Sequence, residues 1–597
     1  MCGISGIWRN SNSSFDLQSI ERMKLKMSHR GPDGNSTWRS KGQKVILGHN
    51  RLSIIDLSEN GTQPMTRGMY TISFNGEIYN YLELKQELEN KNLSFSTGSD
   101  TEVLLAAYQT WGTDMFQNLD GMFAFAIYDE VKDELFCARD RFGEKPFYYG
   151  FYKGDFYFAS EIKALSEIGI DTSINENLLF NYLHFDLVEN PLDQKQTFYK
   201  EIHKLKPSHC FIYKGGNQIK QTRYWDIAIS DSADMSFSEA SKRFKELLNT
   251  SVKRRLRSDV KVGSSLSGGL DSSSIVALVS KLSKENATFS ARFKNFSKDE
   301  GQFIEIIQNK FKTKHFNVNV QEMDLIKELD RLIYHQEEPF QTGSIYAQYC
   351  VYQEAKRQGV TVMLDGQGAD EFLCGYAKDF QFYFKELINN KPERLRINSL
   401  INTNHSINTT LNFKDFLLLR SPKTHKFVSS AAKKISNKRP VGINPDFNAE
   451  FKNKNSPFKH FKDLKSALKH EMNNQGLEKL LRFADKNSMA HSVEVRLPFL
   501  YHELVEFVFS LPSSYLLHNG WSKSILRFSM SDILPHEITF RKDKTGFQAP
   551  QDSWMQNKFF KEIFKVAEQS LIQNKFITSN YTSKWKTLIA YKTLLEK

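Results

Sequence analysis

The stretch Lys261-Val262-Gly263-Ser264-Ser265-Leu266-Ser267-Gly268-Gly269-Leu270-Asp271-Ser272-Ser273-Ser274 decides the fold of the larger part of this chain. Lys261 to Leu266 reads as a strand, Ser267 to Asp271 as a glycine turn, and Ser272 to Leu282 as a helix. Two glycines let the backbone turn and be approached closely, and successive N–H groups and hydroxyls at a helix start make a nest for anionic oxygen. The turn is not a Walker A loop, because no Gly-Lys-Ser/Thr ending follows, and it lacks the Gly-x-Gly-x-x-Gly spacing of a dinucleotide fold. An ordinary strand-to-helix turn is the plain alternative. Asp271 weighs against that reading, since its carboxylate would repel phosphate unless Mg²⁺ lay between them.

Working outward, Ala287 to Phe293 reads as the next strand, Gln302 to Phe311 as a helix and Val360 to Leu364 as a further buried strand. Strand, turn and long helix in alternation imply a parallel sheet covered by helices, with ligands at the carboxyl ends of the strands. At one such end stands Asp365-Gly366-Gln367-Gly368-Ala369-Asp370-Glu371. Asp271 and Asp370 are therefore candidates to hold one Mg²⁺ from two strand ends.

Upstream of about residue 210 the rhythm differs. Short strands rich in β-branched and aromatic residues are expected at Gly3 to Trp8, Val45 to Ile55, Tyr70 to Phe74, Met122 to Tyr128, Leu135 to Arg139, Pro146 to Tyr152 and Asp155 to Ala159. Helices are expected at Tyr81 to Lys91 and Thr101 to Trp111, the second opened by Ser99-Asp100-Thr101-Glu102 in the form of a capping box. This part reads as α+β with mainly antiparallel sheet. Cys2 becomes the terminal residue if Met1 is removed, and a free α-amine beside a thiol can serve as its general base.

Among 597 residues the formal charge is +12, which alone would suggest a polyanionic partner. Residues 1–210 carry 22 basic and 28 acidic side chains, and residues 211–597 carry 59 and 41, so the excess is confined to the second part. Residues 411–470 hold 14 basic and 4 acidic side chains, including Lys423, Lys433, Lys434, Lys438, Arg439, Lys452, Lys454 and Lys469. No aromatics at base-stacking spacing accompany them, so a solvated insertion is expected and a nucleic-acid binder is not. Cys2, Cys137, Cys210, Cys350 and Cys374 are too scattered for a disulfide framework or a Cys-x-x-Cys zinc site. No signal sequence and no apolar window of membrane-spanning length is visible. A cytoplasmic protein without membrane contact is expected.

With Cys2-Gly3-Ile4 and Ser267-Gly268-Gly269-Leu270-Asp271-Ser272-Ser273 in one chain, the sequence resembles the glutamine-hydrolysing asparagine synthetase family. Other blocks arrive in the family's order, among them Arg30 to Asp33, Asn50 to Ile54, Asn75 to Asn80, Arg139 to Gly143, Asp365 to Glu371, Glu494 to Leu500 and Lys544 to Phe547. The resemblance implies an αββα glutamine amidotransferase domain over 1–210, then an α/β parallel-sheet domain of ATP-pyrophosphatase type with extra helices over 211–597. It implies that Cys2 attacks the glutamine amide, with Asn75 and the Gly76 N–H as oxyanion hole. Arg51 would hold the glutamine α-carboxylate, and Glu77 and Asp100 its α-ammonium. Leu266, Ser267, Gly268, Gly269, Asp271, Ser272, Ser273, Ala291, Asp365 and Gly366 would contact ATP or pyrophosphate, with Mg²⁺ on Asp271 and Asp370. Lys544 would stabilise phosphoryl charge, and Gln367 takes a catalytic position.

The implied reaction adenylates aspartate and displaces AMP with ammonia carried through an internal tunnel, giving asparagine, AMP and pyrophosphate. A homodimer is compatible with the resemblance. The chain departs from the family's pattern at Gln367, where Glu is usual, and at Arg292, where a small residue is usual beside the nucleotide. Glutamine cannot take a proton at neutral pH, so any base role passes elsewhere. Both departures bear on the acceptor, and the alternative acceptor is another carboxylate, such as a uronic acid in surface-polysaccharide assembly. A β-lactam-forming relative is disfavoured, because such synthetases do without the nucleophilic cysteine.

Overall fold

The computed structural model describes residues 2–10, 17–231, 234–283, 285–405, 441–452, 461–543 and 548–596. Twelve strands build the N-terminal half: β1 (Gly3–Trp8), β2 (Gly34–Arg39), β3 (Val45–Arg51), β4 (Met65–Arg67), β5 (Tyr70–Ile78), β6 (Gly121–Asp129), β7 (Glu134–Arg139), β8 (Tyr148–Tyr152), β9 (Asp155–Ala159), β10 (His203–Lys204), β11 (His209–Tyr213) and β12 (Thr222–Arg223). They form two antiparallel sheets, in the orders β10-β8-β9-β1-β3-β2 and β12-β11-β7-β6-β5-β4.

Side-chain alternation along the strands stacks the sheets. On β6, Ala124, Ala126 and Tyr128 meet Ile4, Trp8, Val45 and Leu47 of the first sheet in the layer between them. Phe123, Phe125 and Ile127 point the other way, onto Val103, Leu104 and Ala107 of the helix Asp100–Trp111. Ile7 and Ile46 pack against Ile20 and Met23 of the helix Leu17–Lys26 on the far side of the first sheet. The layer order is thus helix, sheet, sheet, helix, as the sequence suggests.

The C-terminal half is built on β13 (Val262–Ser265), β14 (Ala287–Arg292), β15 (Lys314–Asn319), β16 (Val362–Leu364) and β17 (Glu494–Arg496), in the order β15-β14-β13-β16-β17 with every pair parallel. The order reverses direction between β13 and β16, which places a topological switch point, and hence a crevice, beyond the carboxyl ends of these two strands. The helices Leu270–Leu282, Gly301–Phe311 and Ser344–Arg357 cover the sheet.

Several expectations are corrected. The strand placed at Val45 to Ile55 stops at Arg51, and the one placed at Tyr70 to Phe74 runs on to Ile78, because β5 keeps pairing with β6 as far as Ile78 opposite Gly121. The capping box does not close. Ser99 Oγ accepts from Thr101 N at 3.2 Å, while the Glu102 carboxylate turns back to accept from Ser96 N and Thr97 N. β11 and β12 still belong to the second N-terminal sheet, so we propose that the change of domain lies between Arg223 and the helix starting at Phe237, beyond residue 210. Of the basic stretch 411–470, Lys423, Lys433, Lys434, Lys438, Arg439 and Lys454 lie outside the described residues. Lys469 pairs with Asp226 at 2.7 Å. All five cysteines are buried and carry no disulfide. Among the described residues, no helix is long and apolar enough to cross a membrane.

The halves meet through buried charge. Arg30, with 0% of its surface exposed, donates to Glu161 at 3.0 Å on its own side and to both oxygens of Asp485 at 2.8 and 3.1 Å on the other. Arg139 pairs with Glu478 at 2.8 Å and Lys163 with Glu337 at 3.4 Å. Removing one partner of such a pair leaves the other buried and uncompensated, which costs about 3–5 kcal/mol. Arg30→Met is therefore expected to lower the chemical denaturation midpoint markedly; a midpoint equal to wild type would contradict the importance given to this seam.

Candidate active sites

The first site gathers around Cys2, at the start of β1. Cys2 is 8% exposed, its N–H donates to Asn75 Oδ1 at 3.0 Å, and its carbonyl accepts from Arg30 Nε at 3.1 Å. Burial pushes the Cys2 thiol up, and the hydrogen bond from its sulfur to the Leu52 carbonyl works against that. Asn75 Nδ2 is buried without a hydrogen-bond partner, on the same amide group whose Oδ1 holds the Cys2 backbone. The next residue has to be glycine: a Cβ on Gly76 would stand 2.0 Å from the Met122 carbonyl.

Arg51 ends β3 and its guanidinium reaches over the loop that follows, donating to Ser58 O at 2.8 Å and Asp56 O at 2.5 Å. Glu77 and Asp100 are both buried. Burial pushes the Glu77 carboxyl well up, reinforced by Glu494 and Asp100. Asp100 is pushed up to about 6 by burial, although its Oδ2 accepts from Ile78 N at 2.9 Å. The fold therefore brings the predicted residues Cys2, Asn75, Gly76, Glu77 and Asp100 together at the ends of β1 and β5 and the start of one helix.

The second site is a cavity of about 300 Å³ at the switch point, lined among others by Leu266, Ser267, Gly269, Asp271, Ser272, Ala291, Asp365, Gly366 and Gln367. Ser267 and Ser272 tie the turn together, Oγ to Oγ at 2.9 Å. Gly268 has φ +73, and a Cβ there would meet Phe303 Cβ at 2.8 Å. Gly268 and Ser273 stand behind the turn rather than on the cavity wall, and Ser273 Oγ is buried without a partner. Gly366 lies so close to the helix start that a Cβ would come within 2.8 Å of Ser272 N. Asp365 accepts from Tyr352 Oη at 2.6 Å, and burial raises its carboxyl. Gln367 Oε1 is buried without a partner. Lys544 lies outside the described residues.

The two carboxylates proposed for Mg²⁺ do converge, but a lysine missed by the sequence reading stands between them. Lys523 Nζ is 2.5 Å from Asp271 Oδ2 and 2.6 Å from Asp370 Oδ1. Burial lowers the Lys523 pKa, and the two carboxylates more than reverse that. The backbone at Lys523 is left-handed, with φ +53, just ahead of the helix Ser524–Met530. A lone lysine at the head of the apolar helix start Ser524-Ile525-Leu526 was the signal available. Among the described residues, no group of three or more His, Cys, Asp or Glu could hold a metal by itself. Mg²⁺ commonly takes one or two carboxylates with phosphate oxygens and water completing its shell. Asp271 Oδ1, buried without a hydrogen-bond partner, fits such a role.

Arg292 does not line this cavity. Its guanidinium is held by Asp299 at 2.9 Å, and it faces a neighbouring groove of about 1380 Å³ that shares Phe293, Lys298, Asp299 and Gln548 with the cavity wall.

Comparison with known sequences agrees with this division. The family described as "Glutamine amidotransferase domain" matches residues 1–225, and the family described as "Asparagine synthase" matches residues 243–587. A Bacillus subtilis protein named "Asparagine synthetase [glutamine-hydrolyzing] 1" is 30% identical over 96% of this chain and 90% of its own length. A Methanocaldococcus jannaschii protein named as a putative asparagine synthetase of the same kind is 37% identical over 66% of this chain and 80% of its own. A Gibberella zeae protein named "Amidase chry2" is 26% identical over 96% of this chain and 92% of its own.

Lys523→Met leaves Asp271 and Asp370 facing each other without their shared cation. ATP-dependent AMP formation is expected to fall by about a hundredfold or more, the scale of losing one preorganised charged group. Release of glutamate from glutamine should change less than about twofold, because the lysine lies in the other site. Equal loss of both would contradict the assignment.

Proposed function

The chain belongs to the glutamine-hydrolysing asparagine synthase family, and on that premise we propose that it transfers the amide nitrogen of glutamine to a carboxylate activated by ATP. The observation that carries this reading is the Cys2 and Asn75 pair, with Asn75 Nδ2 buried and without a partner on the amide that holds the Cys2 backbone. With Met1 removed, the α-amine of Cys2 takes the thiol proton and Sγ attacks the glutamine amide carbon. Asn75 Nδ2 and the Gly76 N–H donate to the oxygen that gains charge, a contribution of about 3 kcal/mol per donor. The amine returns the proton to the leaving ammonia, and water then releases glutamate from the thioester. Arg51 takes the α-carboxylate of glutamine, and Glu77 and Asp100 take its α-ammonium.

At the second site, the acceptor carboxylate attacks the α-phosphorus of ATP. Pyrophosphate leaves into the turn from Ser267 to Ser273, and ammonia displaces AMP from the acyl-adenylate. Mg²⁺ on Asp271 and Asp370 would supply charge neutralisation for the departing pyrophosphate. Lys523 is placed to deliver positive charge to the same oxygens once its carboxylate partners turn to the metal, and Lys544 is assigned the same task. Gln367 can orient the incoming ammonia by hydrogen bonding but cannot take its proton.

Aspartate is the acceptor that the relatives' names suggest, and the product would then be asparagine. A second reading, amidation of a larger carboxylic acid such as a uronic acid, is favoured by the 1380 Å³ groove running into the cavity wall, far larger than aspartate requires. Glutamine, ATP and aspartate or a nucleotide-linked uronate, supplied to the purified protein, should give an amidated product by mass spectrometry. Glutamine hydrolysis without asparagine would exclude the aspartate reading.

Cys2→Ala is expected to abolish use of glutamine and to leave synthesis from added ammonium salt within about twofold of wild type, since the nucleophile touches only the first site. Parallel loss of both would sink the two-site scheme.

A further inference from the structure

Three buried carboxylates crowd the glutamine site, and one of them comes from the other half of the molecule. Glu494 opens β17, the edge strand of the parallel sheet, and has 0% of its surface exposed. Despite that burial its carboxyl is held below the usual range by Arg496 and Lys145. Arg496, equally buried at the end of the same strand, donates from Nε to Glu494 at 2.6 Å, and its Nη2 lies 3.6 Å from Glu77 Oε2. Its Nη1 is fixed by the carbonyls of Arg255 at 2.8 Å and Arg257 at 2.6 Å. Tyr79, from the N-terminal half, lies under the guanidinium at 5.5 Å. The arginine is thus locked by backbone in its own domain while its remaining nitrogen faces a carboxylate of the other.

We propose that Glu494 and Arg496 are positioning residues of the glutamine site: Glu494 fixes the guanidinium of Arg496, and Arg496 faces Glu77, the carboxylate that receives the α-ammonium of glutamine. The proposal rests on the glutaminase reading given above. It follows from charge balance. Glu77, Asp100 and Glu494 share the Arg496 guanidinium, so the pocket is short of positive charge, and the α-ammonium of bound glutamine supplies it. The other charged groups around this pocket are Arg30 on the Cys2 carbonyl, Arg51 at the end of β3 and Lys145, whose field also reaches Glu494.

The same strand touches the second site. Leu364 of β16 pairs with Arg496, and the N–H of the following Asp365 donates to the Arg496 carbonyl at 3.0 Å. Gly366 and Gln367, the next two residues, line the nucleotide cavity. One residue therefore contacts Glu77 through its side chain and the nucleotide loop through its main chain, which is a direct physical link between the two reactions.

The test uses the full-length protein and ATP-independent hydrolysis of glutamine, measured against glutamine concentration. Arg496→Gln should raise KM for glutamine about tenfold while kcat changes less, because a Glu77 no longer balanced becomes protonated and cannot hold the α-ammonium. Arg496→Lys should recover most of that loss. Glu494→Gln, which keeps the size of the side chain but not its charge, should raise KM in the same direction by a smaller factor. An unchanged KM in Arg496→Gln would overturn the proposal, as would equal loss of glutamine-dependent and ammonia-dependent synthesis. If Arg496→Gln does not fold, the KM of the near-isosteric Glu494→Gln decides alone, and an unchanged value overturns the proposal. Absence of any glutamine hydrolysis in the wild type would instead refute the glutaminase reading itself.

Discussion

A single buried guanidinium holds the molecule's two halves and its nucleophile in one frame. Arg30 donates to the carbonyl of Cys2, to Glu161 of the same half and, in a two-pronged contact, to Asp485 on the helix Leu477–Met489 of the other half. Its desolvation is offset only because every one of these partners is in place. Position of the sulfur, docking of the domains and the charge of the seam are therefore not independent properties. Lys145, near Asp485, and Lys486, paired with Glu337, extend the same seam. A seam of paired charges specifies orientation more strictly than an apolar one would, because a small shift leaves ions unpaired.

Each site handles its charge differently. Around Cys2, burial and crowded carboxylates hold Glu77 and Asp100 above the ordinary carboxylate range. The cavity at the switch point instead carries its own cation, Lys523, between Asp271 and Asp370. Both arrangements keep a buried cluster near neutrality with no ligand, at the expense of a rearrangement when the ligand binds.

Much of this was legible in the sequence, for identifiable reasons. The glycine turn after Leu266 and the acidic run after Leu364 both mark strand ends, and parallel topology alone brings strand ends together at a switch point. The strand and helix pattern before residue 210 gave an α+β part with antiparallel sheet, and the layered sandwich came from the family resemblance; the structure shows the alternation on β6 that stacks the layers. What stayed hidden were partnerships across long sequence separation. Nothing local to Lys523 announces the distant carboxylates of Asp271 and Asp370, and the Glu494-Val495-Arg496 block carried no assigned role until β17 was seen to reach Glu77. The capping box failed for a related reason: Glu102 found the N–H groups of Ser96 and Thr97 before it, a competition that the four-residue pattern cannot express. Arg292 read as an intrusion on the nucleotide, whereas Asp299 draws it out to the neighbouring groove.

The central claim is that the two sites work as one enclosed machine across the Arg30 seam, so that nitrogen passes from Cys2 to the acyl-adenylate without equilibrating with water. The most direct measurement is the isotopic composition of the product amide when glutamine labelled with ¹⁵N in its amide is turned over in the presence of unlabelled ammonium salt. The account predicts product enriched in the label of glutamine well above the mixed pool of ammonia in solution. Product whose label matches the mixed pool of ammonia in solution would contradict it.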